Sequence, residues 1–140
     1  MKFSGTYESL PAISDFVRQI AGEAGLNEDD VYAVELAVDE ACTNIIEHAY
    51  AKQKSGEIVC SCEAMSDGLE IVLMDQGKKF SPEGIPEPDP TLPLEQISAR
   101  GAGLYLMRKM MDEIDFDYDP QQGNKLRMVK RKSSAKWNFR

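Results

Sequence analysis

Between Asn27 and Tyr50 the apolar residues recur at helical spacing. Val34, Val38, Ala41 and Ile45 fall on one sector, and Glu40, Asn44 and His48 form a polar stripe beside it. At about 100° per residue, positions four apart drift only slowly around a helix, so the stripe borders the buried face instead of opposing it. Asn27-Glu28-Asp29-Asp30 supplies an N-cap and early negative charge that complements the helix dipole. Upstream, residues 2–7 read as a short strand. Ser9, Pro11 and the set Ile13, Phe16, Val17 and Ile20 read as a capped helix ending near Gly22 or Gly25.

Residues 57–65 and 69–75 follow as two strands around Ser66-Asp67-Gly68, a hairpin signal. From Gln76 to Ser98 the periodicity dissolves, and five of the seven prolines (Pro82, Pro86, Pro88, Pro90, Pro93) lie there. A regular helix is excluded, and an extended loop of lid-like length is expected. Arg100-Gly-Ala-Gly103 then opens an apolar helix from Leu104 to about Ile114. Asp115 to Asp119 alternates as a strand, Pro120 to Asn124 turns, and Lys125 to Lys132 alternates again. Helices segregated from an antiparallel set of strands indicate an α+β two-layer sandwich.

Composition narrows the picture. With 140 residues and 42% apolar content the chain can bury a core without disulfides. The three cysteines, Cys42, Cys60 and Cys62, read as reduced, packed thiols, and a cytoplasmic location is expected. No apolar run is long enough to span a membrane, and Met1 to Tyr7 lacks a signal-peptide apolar region. A net charge of −8 argues against direct nucleic-acid binding, which needs clustered Lys and Arg. The charge is uneven: from Lys125 onward there are seven basic residues and no acidic one. That stretch reads either as a solvated tail (about 133–140) or as a docking edge for an acidic partner or for phosphates.

Three short motifs carry candidate chemistry. Glu40 can orient or deprotonate a nucleophile, and Asn44, one turn on, can offer its amide oxygen to a hard cation such as magnesium. Asp75-Gln-Gly77 ends a strand, where a carboxylate can accept from an exocyclic amine and a glycine lets a flat ring approach the backbone; Asp-x-Gly is also an everyday turn. Gly101-Ala102-Gly103 opens a helix, where freed backbone amides suit phosphates, and Arg100 can add a charge-assisted contact. This glycine pair does not fit the dinucleotide fingerprint, because no strand leads into it and no third glycine follows at the required place. Each motif alone is weak.

In this order and at these separations, the three resemble the N, G1 and G2 boxes of the GHKL (Bergerat-type) ATP-binding superfamily. Within it, Val38-Asp-Glu-Ala-Cys-Thr-Asn44…His48 and the run from Gly101 to Ile114 are similar to the anti-sigma-factor serine/threonine kinases. The resemblance covers about residues 5 to 132. It implies one histidine-kinase-like ATPase domain over 1–140, with a mixed, mostly antiparallel sheet, helices on one face and a lid at about 76–100. It implies ATP and magnesium as ligands, Glu40 as catalytic base and Asn44 as the magnesium ligand. Asp75 would read adenine with Gly77 beside the base, and Arg100, Gly101, Ala102, Gly103 and Leu104 would surround the phosphates. Two departures stand out. Gly123-Asn-Lys125 replaces the Gly-Thr-Thr often seen in the last hairpin, and Gln76-Gly-Lys-Lys-Phe80 lacks a further glycine common before the aromatic residue. Lys78 and Lys79 there either approach phosphates or solvate the lid.

The function so implied is a serine/threonine kinase that phosphorylates an anti-anti-sigma protein and sequesters a sigma factor when that antagonist is absent, in a family whose members are often homodimers. A nucleotide-sensing binding module with little phosphoryl transfer is the alternative, and Glu40 distinguishes the two, since a pure sensor needs no base. A detached histidine-kinase ATPase domain is a third reading, disfavoured by the short lid and the missing dimerisation-helix region.

Overall fold

The computed structural model describes residues 1–50, 56–85, 91 and 99–133, those at 84 and 99–101 by their backbone alone. About half of the expected lid (86–90 and 92–98) and the tail from 134 onward lie outside the described residues. Five strands and three α-helices follow the chain as β1 (Lys2–Ser4), α1 (Leu10–Glu23), α2 (Glu28–Asn44), β2 (Glu57–Met65), β3 (Gly68–Asp75), α3 (Ala99–Met110), β4 (Glu113–Asp119) and β5 (Gly123–Arg131). The strands form one sheet in the order β1-β2-β3-β5-β4. Every pairing is antiparallel, so the sheet is uniform among the described residues instead of mixed.

The layering follows from side-chain alternation. In β3, Leu69, Ile71 and Leu73 turn inward, and in β5 Leu126 and Met128 do the same, matched across the ladder by Leu73↔Leu126 and Ile71↔Met128. They meet Ile13, Val17 and Ala21 of α1, and Val34, Ala37, Val38 and Ala41 of α2, in one core. Helix α1 presents its apolar residues at four-residue intervals and stops in a Schellman motif. Leu26 N–H donates to Ala21 C=O at 3.1 Å and Gly25 N–H to Gly22 C=O at 3.0 Å, with Gly25 at φ +88°. Asn27 caps α2 by accepting from Asp30 N–H at 2.8 Å.

Four sequence expectations shift. The first strand ends at Ser4, and residues 7–9 form a short 3-10 turn. Ser9 makes no side-chain cap bond; its hydroxyl pairs with Ser4 Oγ at 2.8 Å. Helix α3 ends at Met110 and not near Ile114, because Glu113 and Ile114 pair with Val129 and Met128 in β4, and Lys130 Nζ caps Met110 C=O at 2.8 Å. Among the described residues, the basic C-terminal run is mostly strand, Lys125 to Arg131 lying in β5. Arg127 pairs with Glu70, Glu113 and Asp115, and Arg131 with Asp67 and Glu113, so neither is a free docking charge.

The last turn of the long helix is also unlike the rest. Ile45–Ala49 is a π-turn, closed by Tyr50 N–H donating to Ile45 C=O at 3.0 Å. Widening the helix here brings Ala49 C=O to Lys78 N–H at 2.8 Å. Tyr50, 8% exposed, donates its hydroxyl to Glu57 C=O and accepts from Gln76 N–H at 2.9 Å. The end of α2 is thereby pinned to the C-terminal end of β3.

Candidate functional site

That pinning creates a cavity of about 250 Å³ between the end of α2, the C-terminal end of β3, the segment 78–80 and the last hairpin. Its volume lies just below the ~300–1,000 Å³ of drug-sized pockets and suits one fused ring system better than a whole nucleotide. The walls are largely apolar: Ile45, Phe80, Met107, Phe116 and Leu126. Phe80 leans on Phe116 with ring centroids 4.9 Å apart. Asn44, His48, Asp75 and Asn124 supply polar groups, and Lys78, Lys79, Asp117 and Lys125 add charge.

Asp75 sits at the floor, 5% exposed. Its Oδ1 accepts from Gly77 N–H at 2.9 Å and from Asn124 Nδ2 at 2.9 Å. No donor among the described residues reaches Oδ2. Burial raises the Asp75 carboxyl above its ordinary range, opposed by the bonds from Asn124 and Gly77. A buried carboxylate oxygen lacking a donor is costly, and an N–H donor entering the cavity relieves that cost. Gly77 is demanded by the π-turn itself, since a Cβ there would lie 2.3 Å from Ala49 C=O.

Asn44 and His48 line the cavity, as their stripe implied, and the Asn44 carboxamide has no hydrogen-bond partner among the described residues. Glu40, one turn earlier, stands off the cavity wall and against the first turns of α3, where a Cβ on Gly103 would come within 2.7 Å of Glu40 Oε2. Its carboxyl pKa is raised, first by desolvation and then by the neighbouring charges of Asp39 and Glu47. Helix α3 begins at Ala99, ahead of the glycines expected to open it, so Gly101 and Ala102 lie in the first turn, where N–H groups lack internal partners, and Gly103, the fifth residue, lies just beyond it. The Leu104 side chain is 2% exposed, so only its backbone can face a ligand. The Arg100 side chain lies outside the described residues.

Of the residues singled out in the sequence, Asn44 and Asp75 come together on the cavity wall, with Gly77 bonded to Asp75, and Glu40 stands off it; Asn124, which joins the cavity walls, was not singled out as a site residue. In the sequence Asn124 stood out only as a departure from the Gly-Thr-Thr of the resembled family. In the fold it sits 7% exposed opposite Asp75 in the β3–β5 ladder. The signal was register, invisible until β3 is known to pair with β5 across the intervening helix and strand. No group of three or more His, Cys, Asp or Glu side chains able to hold a metal occurs among the described residues.

A sequence profile of the histidine kinase-like ATPase domain matches residues 3–130. The chain belongs to that family. Its relatives include the serine-protein kinase RsbW of Bacillus velezensis, 35% identical over 118 residues, covering 81% of this chain and 74% of that protein. The serine-protein kinase RsbW of Bacillus licheniformis is 38% identical over 104 residues, covering 71% of this chain and 65% of that protein. These relatives place the chain on the RsbW-type branch of the family; it spans slightly less than two thirds of the B. licheniformis protein. Among solved structures, the RsbU and RsbW domains of Rv1364c from Mycobacterium tuberculosis match with TM-score 0.61 at 15% identity, over 94% of this chain and 32% of that one. The histidine kinase domain of a blue-light activated histidine kinase from Erythrobacter litoralis EL346 matches with TM-score 0.58 at 18% identity, over 91% of this chain and 61% of that one. Both likenesses concern the fold.

Proposed function

We propose that the protein is an ATP-dependent serine/threonine kinase that phosphorylates an anti-anti-sigma protein in the cytoplasm and holds a sigma factor when that antagonist is absent. The observation that carries the reading is the division of one site into two ends. Asp75 Oδ2 waits at the apolar end for the exocyclic amine of adenine. Glu40 and Gly103 meet at the other, beside a helix N-terminus suited to phosphates. The serine-protein kinases among the relatives support the same reaction.

Magnesium fits the residues present. Mg²⁺ is usually held by one or two protein oxygens plus water and substrate phosphates, and the unpartnered Asn44 carboxamide on the cavity wall offers such an oxygen. Bound there, it would neutralise phosphate charge. Glu40 takes the proton from the acceptor serine as its oxygen bonds to the γ-phosphorus and the bond to the β,γ-bridging oxygen breaks, leaving phosphoserine and ADP. Its raised carboxyl pKa improves it as a base near neutral pH. The Lys78–Phe80 segment, hydrogen-bonded at the cavity rim, is where a lid at about 76–100 would begin.

The test is to incubate the protein with Mg-ATP and a candidate anti-anti-sigma protein and follow the partner by intact mass. A gain of one phosphoryl group, located on serine and lost with Glu40→Ala, is the expected result. Nucleotide binding with no transfer to any partner would overturn the kinase reading in favour of a sensing module.

A further inference from the structure

Asn124 stands where the resembled kinases often carry threonine, and its carboxamide makes three hydrogen bonds. Nδ2 donates to Asp75 Oδ1 at 2.9 Å and to Lys78 C=O at 2.7 Å, and Oδ1 accepts from Phe80 N–H at 2.9 Å. The partners fix the orientation of the amide. Lys78 C=O can only accept and Phe80 N–H can only donate, so a flipped amide would set oxygen against oxygen and N–H against N–H. One side chain therefore joins β5, the carboxylate at the end of β3 and the backbone that carries Phe80, which packs on Phe116 of β4. A threonine hydroxyl, with one hydrogen to donate, cannot make all three bonds.

Resting on the adenine-nucleotide reading above, we propose that Asn124 sets base specificity. It occupies Asp75 Oδ1 and locks the carboxylate so that Oδ2 faces the cavity as the acceptor for a 6-amino group, and the same amide holds Lys78–Phe80 as the wall over the base. It is a positioning residue, acting through Asp75. A 6-amino purine donates to Oδ2, whereas a 6-oxo purine sets an oxygen against it. With Asn124 gone, the carboxylate can rotate to take N1–H of the 6-oxo base, and the discrimination shrinks.

The test compares ATP and ITP binding by titration calorimetry in the wild type, Asn124→Ala and Asn124→Thr, with thermal melts as a folding check. Wild type should prefer ATP. The ATP-to-ITP preference should fall about tenfold in Asn124→Ala, the equivalent of one hydrogen bond to a charged group, with Asn124→Thr in between. A second readout is pH. Asn124 lowers the Asp75 carboxyl pKa, so its removal should shift the acid-side loss of ATP affinity to higher pH. The other groups facing this region are unchanged by the substitutions: Tyr50 and His48 after α2, Lys78 and Lys79 after β3, Asp117 of β4 and Lys125 of β5. If both variants fold and lose ATP and ITP affinity equally, with the acid limb unmoved, Asn124 is merely structural and the proposal fails. If Asn124→Ala does not fold, an unchanged preference in Asn124→Thr is enough to overturn it. A wild type that binds ITP as well as ATP instead removes the adenine reading itself.

Discussion

The two ends of the site are built on opposite plans. At the base end, nearly every polar group is already paired: Asp75 Oδ1 with Gly77 and Asn124, Asn124 with Lys78 and Phe80, Tyr50 with Glu57 and Gln76. At the other end, Glu40 and Asn44 have no hydrogen-bond partner among the described residues, and the carboxyl of Glu40 is pushed up by burial and by Asp39 and Glu47. Recognition of a flat base needs fixed directions, and a satisfied network provides them without reorganisation on binding. Chemistry needs groups whose partners arrive with the substrate, and leaving them unpaired costs stability in the free protein. On the proposed reading, specificity resides in the hairpin end and reactivity in the helix pair.

The largest effect should come from the reactive end. Glu40→Ala is expected to lower phosphoryl transfer by about 10²–10⁴-fold while leaving ATP affinity within about twofold, read by single-turnover assay and calorimetry. A parallel loss of both would erase the distinction between the ends. Next, Asp75→Asn replaces the acceptor for the base amine and should weaken ATP binding by roughly 1.5–3 kcal/mol, about tenfold to a hundredfold. Unchanged affinity sinks the adenine assignment.

Gly77→Ala tests the seam between the ends. Its Cβ would press on Ala49 C=O of the π-turn, so a destabilisation of about 1–3 kcal/mol is expected in denaturant unfolding. An unaltered midpoint would show that the π-turn yields freely. The smallest effect concerns Glu40 and stability. Because its folded pKa is raised, the folded state holds the proton to higher pH than the unfolded chain does. Ionisation of Glu40 thus erodes stability as pH rises from its ordinary value through the raised one, and that loss persists at neutral pH. Glu40→Gln removes the charge and should raise Tm slightly at pH 7, with the gain vanishing at acid pH. A lower Tm at pH 7 would mean that the carboxylate is stabilised by a contact other than those described.

Much of this was legible beforehand, for identifiable reasons. The helical spacing of Val34, Val38, Ala41 and Ile45 located α2 and put Glu40, Asn44 and His48 at the edge of its buried face, because periodicity reports directly on burial. The alternation in β2, β3 and β5 likewise located the strands. Three features were not legible. The π-turn at Ile45–Ala49 leaves no mark in hydrophobic spacing, since it adds one residue to a single helical turn. Asn124 acquires meaning only through the pairing Asp75↔Asn124, between positions separated by 49 residues. The basic run from Lys125 looked like a free edge because its acidic partners, Glu70, Asp67, Glu113 and Asp115, lie on neighbouring strands. Local pattern encodes elements, and long-range register encodes who meets whom.

On the proposed reading, holding the base and transferring the phosphoryl group are separable duties of one site. Single-turnover transfer by Asp75→Asn at saturating Mg-ATP, with an anti-anti-sigma protein as acceptor, tests it most directly. The expected rate is within a few-fold of wild type once the nucleotide site is filled, with the defect confined to the ATP concentration needed to fill it. A rate that stays depressed at saturation, or a wild type that transfers no phosphate at all, would contradict it.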